Sequence, residues 1–509
     1  MLIGRVDNFL NSITMYRLIL YALSAMTIFS VLVAYAGYLP FSGSELLLSV
    51  LALLVACLAS NRIVALVLKA PTNVESDSIT ALILFFVMTP AVRLAALPQL
   101  AAVGVIAMAT KYLFAWRKKH ILNPAAAGAV LAGFTGLGAS SWWISLGPLL
   151  PISLVLGLLI VRKLRRFCMF FVFVAVSLVS VTAYSFFSGT LSANWFIDIP
   201  LQVFTVWPLF FFGTIMLTEP QTTPPTANTR MVYGALVGVL FGAPLHVGSL
   251  YLTSELSLVL GNLYSFFVSS KQRLFLTLVE KKKLAPAIYE LVFSPDRTPA
   301  FLPGQFLEWT LSHAHPDERG NRRYFTIASS PTERYLRIGV KIIDASSSYK
   351  KALLAFWEKG SLVAGQLGGD FVLPRDTGEK LVFIAGGIGV TPFRSMVKYM
   401  IDRKQMRDIV LFYTCVDVSE FVYRDLLEEG EEYGLKTVYV LTKKEAPPVD
   451  FKGRVGFINK EMILSEVADI AERTYYLSGP PAMVKAYHGL LRSLHIGRRR
   501  IKTDYFPGY

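Results

Sequence analysis

Arg323-Tyr324-Phe325-Thr326-Ile327-Ala328-Ser329-Ser330-Pro331 is the stretch on which the reading of this chain turns. An arginine, one spacer, an aromatic ring and a hydroxyl residue are set out along what reads as a single strand. The Arg323 guanidinium is a planar fork that fits the oxygens of a diphosphate. Phe325 can lie flat beside a planar ring system. Thr326, turned the other way by one residue, can hydrogen-bond the reactive edge of that ring. A flavin dinucleotide needs all three from one strand. A motif this short also fits an idle exposed strand, so the neighbouring sequence has to decide.

From about 271 to 376 short alternating runs surround the motif, among them 274–279, 288–293 and 335–340. Strands at this spacing predict a small antiparallel barrel. Val340-Lys341 is expected on a strand flanking the flavin motif. Ser346, Ser347 and Ser348 open a helix, and hydroxyl-capped helix N-termini receive diphosphates. After about 377 strands and helices alternate, which predicts a parallel sheet. The buried strand 381–385 runs into Gly386-Gly387-Ile388-Gly389-Val390-Thr391-Pro392, a turn that lets backbone approach a dinucleotide phosphate closely. A second strand ends at Ser478-Gly479-Pro480-Pro481-Ala482-Met483, where a nicotinamide is expected.

With these motifs in order over residues 273–509, the C-terminal half resembles the ferredoxin–NADP reductase family, whose flavin motif is Arg-x-Tyr-Ser/Thr. Phe325 stands at the Tyr position, which keeps stacking and loses one phenolic hydrogen bond. The resemblance implies FAD on Arg323, Phe325, Thr326, Ser329, Lys341 and Ser346 to Ser348. It implies NAD(P)H on Gly386, Gly387, Gly389, Thr391, Pro392, Gly479, Pro480, Pro481 and Met483. Ser478 replaces the family's Cys before Gly-Pro-Pro and keeps a small polar neighbour for the nicotinamide. In several members a terminal aromatic covers the flavin where nicotinamide lands, so Tyr509 joins Thr326 and Ser478 as a candidate catalytic residue. NADPH-specific members carry basic residues after the strand that ends here near Tyr413. This chain has Asp417 there, which favours a ribose 2′-hydroxyl and hence NADH.

The N-terminal half has a different composition. The overall 54% apolar content conceals a division near residue 270, before which charges are few. Runs of spanning length lie at roughly 16–38, 44–60, 77–95, 97–115, 121–137, 143–161, 167–187, 200–217, 230–247 and 251–270, which predicts about ten spans. Basic residues follow every second run, placing both termini and the C-terminal half in the cytoplasm. Arg93 is the one basic residue on the other side. Much of the net charge of +15 is therefore explained by topology, and no base-reading motif accompanies it to indicate nucleic-acid binding. Three cysteines, far apart, form neither a disulfide framework nor an iron–sulfur site. No clustered metal ligands are expected.

Asp77, Thr80, Lys111, Asn123, Thr218 and Glu219 are polar groups at expected membrane depth or span ends, where ionisable groups need partners. Asn123-Pro124 and Thr218-Glu219-Pro220 occupy matched places in two halves, the pattern of broken helices around a midplane site. These blocks, with Glu255 to Asn262, resemble the D subunit of Rnf electron-transport complexes and the B subunit of the sodium-pumping NADH:quinone reductase. The resemblance implies a helical bundle with inverted repeats and a flavin of its own. The Ser-Gly-Ala-Thr stretch that carries covalent FMN in those subunits is not found, only Ser188-Gly189-Thr190. The second flavin, FMN or riboflavin, is accordingly expected to be non-covalent.

The sequence thus predicts a membrane domain at 1–270, an FAD barrel at 271–376 and an NAD(P)-binding α/β domain at 377–509. Electrons would pass from NAD(P)H through FAD to the membrane domain. The acceptor would be a quinone, an extracytoplasmic flavin or a redox protein, with cation transport an open addition. The alternative is a ferric reductase or NADPH oxidase type of enzyme with haem in the membrane. It needs paired histidines, and the N-terminal half offers only His120 and His246.

Overall fold

A computed structural model describes residues 6–7, 9–10, 13–68, 74–116, 119–248, 250–269, 273–313, 317, 320–343, 346–357, 360–442 and 451–504. The chain divides at residues 271/272 into two compact units. Tyr509 lies outside the described residues.

The N-terminal unit is helical. Five of its described helices are long and apolar enough to cross a membrane: Met15–Tyr35, Gly43–Val67, Leu94–Leu113, Gly147–Leu164 and Phe167–Phe187. Trp195–Thr205 and Leu209–Met216 make a sixth only as a pair bent by 64°. The other expected spans are shorter helices, Val74–Val87, Pro124–Thr135, Ala227–Gly242 and Ser254–Val268. The difference from ten full spans has a local cause. Pro124 fixes the start of one helix behind its Asn123 cap, because proline can neither donate nor extend a helix backwards. Phe212–Met216 relaxes into a π-helix before Pro220, a form common at functional sites.

The C-terminal unit holds two six-stranded sheets. The first comprises β1 (Leu274–Ala285), β2 (Ile288–Pro295), β3 (Phe306–Thr310), β4 (Arg322–Thr326), β5 (Leu336–Lys341) and β6 (Ser361–Gly368). Their order is β4-β3-β6-β1-β2-β5, and every pairing is antiparallel. Alternate residues Leu274, Leu276 and Leu278 point into a core with Trp309 and Tyr349, as a two-residue period requires. The strands expected to make a small antiparallel barrel form one sheet, whose end strands β4 and β5 form no ladder. Just past β4, however, the Ala328 N–H donates to Arg337 C=O at 2.8 Å. Lys341, expected on a strand neighbouring the flavin motif, lies on β5, which meets that stretch at Ala328 and Ser329 and not through a ladder with β4.

The second sheet comprises β7 (Leu381–Gly386), β8 (Ile409–Cys415), β9 (Leu435–Leu441), β10 (Arg454–Val455), β11 (Thr474–Ser478) and β12 (Ile501–Thr503). It is parallel throughout, in the order β10-β9-β8-β7-β11-β12. Strand β7 is buried from end to end because both faces are covered. Leu381 and Phe383 pack with Phe393 on one face, and Val382 and Ile384 pack with Tyr487 and Leu491 on the other. The chain order reverses on the two sides of β7. Ligands of open parallel sheets bind at such a switch point, beyond the carboxyl ends of the strands.

Candidate active site

Arg323 occupies a buried position on β4, 4% exposed. Its guanidinium donates to Asp317 Oδ1 at 3.1 Å and to the carbonyls of Gly320 and Arg322, and it lies over the Tyr349 ring. Burial raises the Tyr349 phenol above its ordinary pKa, while the Arg323 charge opposes that rise.

The second oxygen of Asp317 accepts the Ser348 backbone N–H at 3.0 Å. Ser348 begins the helix Ser348–Ala355, which Ser347 caps through the Lys350 N–H. One carboxylate thus bridges a buried guanidinium and a helix N-terminus. That donor set holds an anion in this structure, and it suits a diphosphate by the same chemistry. Ser346 instead closes a turn with Ile343. Phe325 is half-buried with its ring 6.0 Å from that of Tyr349.

Thr326 Oγ1 lies 3.4 Å from Asp504 Oδ2, and Ser478 Oγ donates to the same oxygen at 3.1 Å. Asp504 is fixed by its N–H to the Leu477 carbonyl, one residue beyond β12. Two hydroxyls from different sheets therefore converge on one carboxylate. Sequence reasoning brought Thr326 and Ser478 forward and missed Asp504. Its placement depends on β12 pairing with β11, and no local pattern announces that.

The two glycine-bearing turns meet beside this point. A Cβ on Gly389 would stand 2.5 Å from the Ser478 carbonyl oxygen, and one on Gly386 2.2 Å from Met483 Sδ. Gly387 and Gly479 have positive φ. Thr391 and Pro392 open the helix Thr391–Asp402, and Pro480-Pro481 opens Pro481–Ser493. Ser329 is fully buried, and its Oγ accepts the Arg337 N–H. Asp417 caps its own turn by accepting from Ser419 N–H and Oγ. Lys341 Nζ donates to Glu420 at 2.6 Å. Burial pushes the nearby Cys415 thiol up to about 12, which disfavours the thiolate.

In the helical unit four of the six candidates meet in two pairs, Asp77 with Lys111 and Asn123 with Glu219. Asp77 accepts from Lys111 Nζ at 2.9 Å and from Asn61 Nδ2 at 2.6 Å. The Thr80 hydroxyl returns to its own helix at Ser76 C=O. Glu219 accepts from Asn123 Nδ2 at 2.8 Å and Thr222 Oγ1 at 3.0 Å, with His120 Nε2 3.4 Å away. Thr218 bonds back to Thr214 C=O. Asn262 accepts the Asn123 N–H and donates to Tyr233. A cavity lined by Tyr16, Ser76, Thr80, Asn123, Pro124 and Glu219 joins the Asn123-Pro124 and Glu219-Pro220 segments of the helical unit. Asn61 carries no sequence signal. Among the described residues no cluster of three or more metal-ligating side chains occurs.

Residues 383–489 match the family model described as the oxidoreductase NAD-binding domain. Over 241 residues the chain is 24% identical to a flavohemoprotein of Bacillus anthracis, covering 45% of this chain and 59% of that protein. It is 28% identical over 239 residues to the phenol hydroxylase P5 protein of Acinetobacter pittii, covering 45% and 64%. The chain thus spans about six-tenths of the length of these curated relatives. Among solved structures, the Amycolatopsis cytochrome P450 reductase aligns over 46% of this chain and 70% of its own, with 24% identity and a TM-score of 0.41. The cytochrome b5 reductase domain of Ulva prolifera nitrate reductase aligns over 46% and 97%, with 19% identity and a TM-score of 0.41. The C-terminal unit is similar to ferredoxin reductase-like FAD- and NAD-binding modules, and its parallel sheet carries the oxidoreductase NAD-binding domain match.

Proposed function

We propose that the protein is a membrane-bound, NAD(P)H-dependent FAD oxidoreductase. In this reading electrons leave the C-terminal unit for a carrier in the helical unit, and then for an acceptor in or across the membrane. The observation that carries it is the convergence of Thr326 and Ser478 on Asp504 at the switch point of the parallel sheet. FAD bound there supplies a ring that takes a hydride from nicotinamide and releases electrons singly.

The chain's own residues do the rest. Arg323 and the Ser348 N–H would hold the FAD diphosphate in place of Asp317, and Phe325 would flank the flavin ring. Thr326 would offer its hydroxyl to the ring's reactive edge, oriented by Asp504, which also holds Ser478 where the nicotinamide would pass. Gly386 and Gly389 let the two turns close against each other, and Gly387, where a Cβ would meet nothing within 4 Å, leaves the turn open to the nucleotide. Asp417 and Glu420 beyond β8 support NADH as the preferred donor, with the ribose 2′-hydroxyl as the group read. Steady-state kinetics test this: kcat/KM should be higher for NADH than for NADPH, and the reverse ratio contradicts it.

For the helical unit we propose a second, non-covalent flavin, FMN or riboflavin, near the cavity that unites Thr80, Asn123 and Glu219. The C-terminal unit would then face the cytoplasm. The haem alternative finds less support, since His120 is engaged with Glu219 rather than facing a second histidine.

A further inference from the structure

The helix Thr391–Asp402 begins at the nucleotide turn and runs directly against the loop that leaves the flavin strand β4. Arg394, 8% exposed, donates through Nη1 to the Ala328 carbonyl at 3.0 Å, only two residues beyond Thr326. Its two terminal nitrogens fork onto both carboxylate oxygens of Glu333, one of them at 3.0 Å. Glu333 in turn accepts the Ser330 N–H at 2.6 Å and pairs with Arg337 on β5 at 3.2 Å. One residue further along the helix, Ser395 donates to the Ser329 carbonyl at 2.6 Å. Ser329, Ser330 and Ser395 are fully buried. A single helix turn therefore ties the nucleotide-binding glycines to the backbone that carries Thr326.

Net stability is a weak explanation for a forked ion pair at this depth. Desolvation largely cancels the Coulomb gain, and apolar replacements of such pairs are often neutral or stabilising. What the pair does supply is direction. A fork on a carboxylate fixes both distance and angle, and transfer between two bound partners falls steeply when their spacing drifts.

We propose that Arg394, through Glu333, is a positioning residue that sets the spacing between the nicotinamide and flavin sites. This rests on the oxidoreductase reading above. Neither side chain need touch a cofactor; both act through Ala328, Ser330 and the helix.

The test uses purified full-length protein mixed anaerobically with NADH, following flavin bleaching in wild type, Arg394→Met, Glu333→Gln and the double variant Arg394→Met/Glu333→Leu. The double variant removes both charges together, so no buried charge is left unpaired. The expected result is a bleaching rate at saturating NADH lowered about 10- to 100-fold, with FAD content kept and KM little changed. The double variant leaves the buried Ser330 N–H and Ala328 carbonyl without these partners, so it should melt somewhat below wild type but fold and keep FAD, yet stay slow and show a larger kinetic isotope effect with deuterated nicotinamide. Glu333→Gln keeps the shape but removes the charge and puts an N–H donor where an oxygen accepted, so it breaks the fork while Arg394 stays; it covers the case in which loss of Arg394 prevents folding, and it should also be slowed. Wild-type rate and isotope effect in the double variant or in Glu333→Gln overturn the positioning role alone. Absence of bleaching in the wild type overturns the oxidoreductase reading, and the positioning role with it.

Discussion

Arg323 and Asp317 show what one pair of residues settles. The arginine was legible because its spacing to Phe325 and Thr326 is a motif. Asp317 was not, because a carboxylate in a loop meets the guanidinium only after β4 and the helix Ser348–Ala355 have been brought together. Arg323→Ala should weaken FAD binding by about 10- to 100-fold, the range expected for a charge-assisted pair of roughly 1.5–3 kcal/mol. Asp317→Asn should act in the opposite direction. The carboxylate takes the two donors that a diphosphate needs, so neutralising it removes a competitor and FAD should bind several-fold tighter. Fluorescence titration of flavin-stripped protein measures both. Equal weakening in the two variants would show that Asp317 supports the site rather than filling it. Asp504→Asn keeps the side chain's shape and removes its charge. FAD content should stay at the wild-type level while flavin bleaching by NADH slows by about 10-fold or more, within the span usual for groups acting at the reacting centre. An unchanged bleaching rate would make the Thr326–Ser478–Asp504 cluster a structural junction.

At the scale of elements, the strand-then-glycine pattern after β7 was visible because a buried parallel strand reads as a continuous apolar run. The meeting of the two turns was not, since β7 and β11 lie some ninety residues apart along the chain. That meeting makes different demands on the two glycines. Gly389→Ala places a methyl against backbone, at 2.5 Å from the Ser478 oxygen and 2.7 Å from the Gly479 Cα. Gly386→Ala meets the flexible end of Met483, which can swing aside. Overpacking against unyielding groups costs about 1–3 kcal/mol. Gly389→Ala should accordingly raise the KM for NADH by about 10-fold or more, and Gly386→Ala by only a few-fold. Steady-state kinetics on the two variants decide it, and the reverse order would mean that the turns move apart on binding nucleotide. The same scale explains why the two end strands of the antiparallel sheet form no ladder. Alternation fixes which face of each strand is buried, but the joining of β4 to β5 depends on the loop from Ile327 to Tyr335. That loop substitutes an Ala328–Arg337 bridge and a Ser329 side-chain contact for a ladder.

Across the whole molecule the division near residue 270 was the most legible feature, because composition changes there from apolar runs to mixed charge. The number of full-length helices was less so. Hydropathy registers apolar length, whereas Asn123-Pro124 and the bend between Thr205 and Leu209 set where helices start and turn. The Asn123-Pro124 break leaves a helix end among polar side chains, and the cavity that joins Thr80, Asn123 and Glu219 lies at that end. The account as a whole claims that NAD(P)H reduces a flavin in the C-terminal unit and that the helical unit carries a flavin and not a haem. Anaerobic titration of the purified full-length protein with NADH, followed by its visible spectrum, tests that claim most directly. The account predicts flavin bands alone, bleached by one hydride equivalent for each flavin bound, with more than one flavin per chain. A haem Soret band, or flavin bands that NADH leaves unchanged, would contradict it.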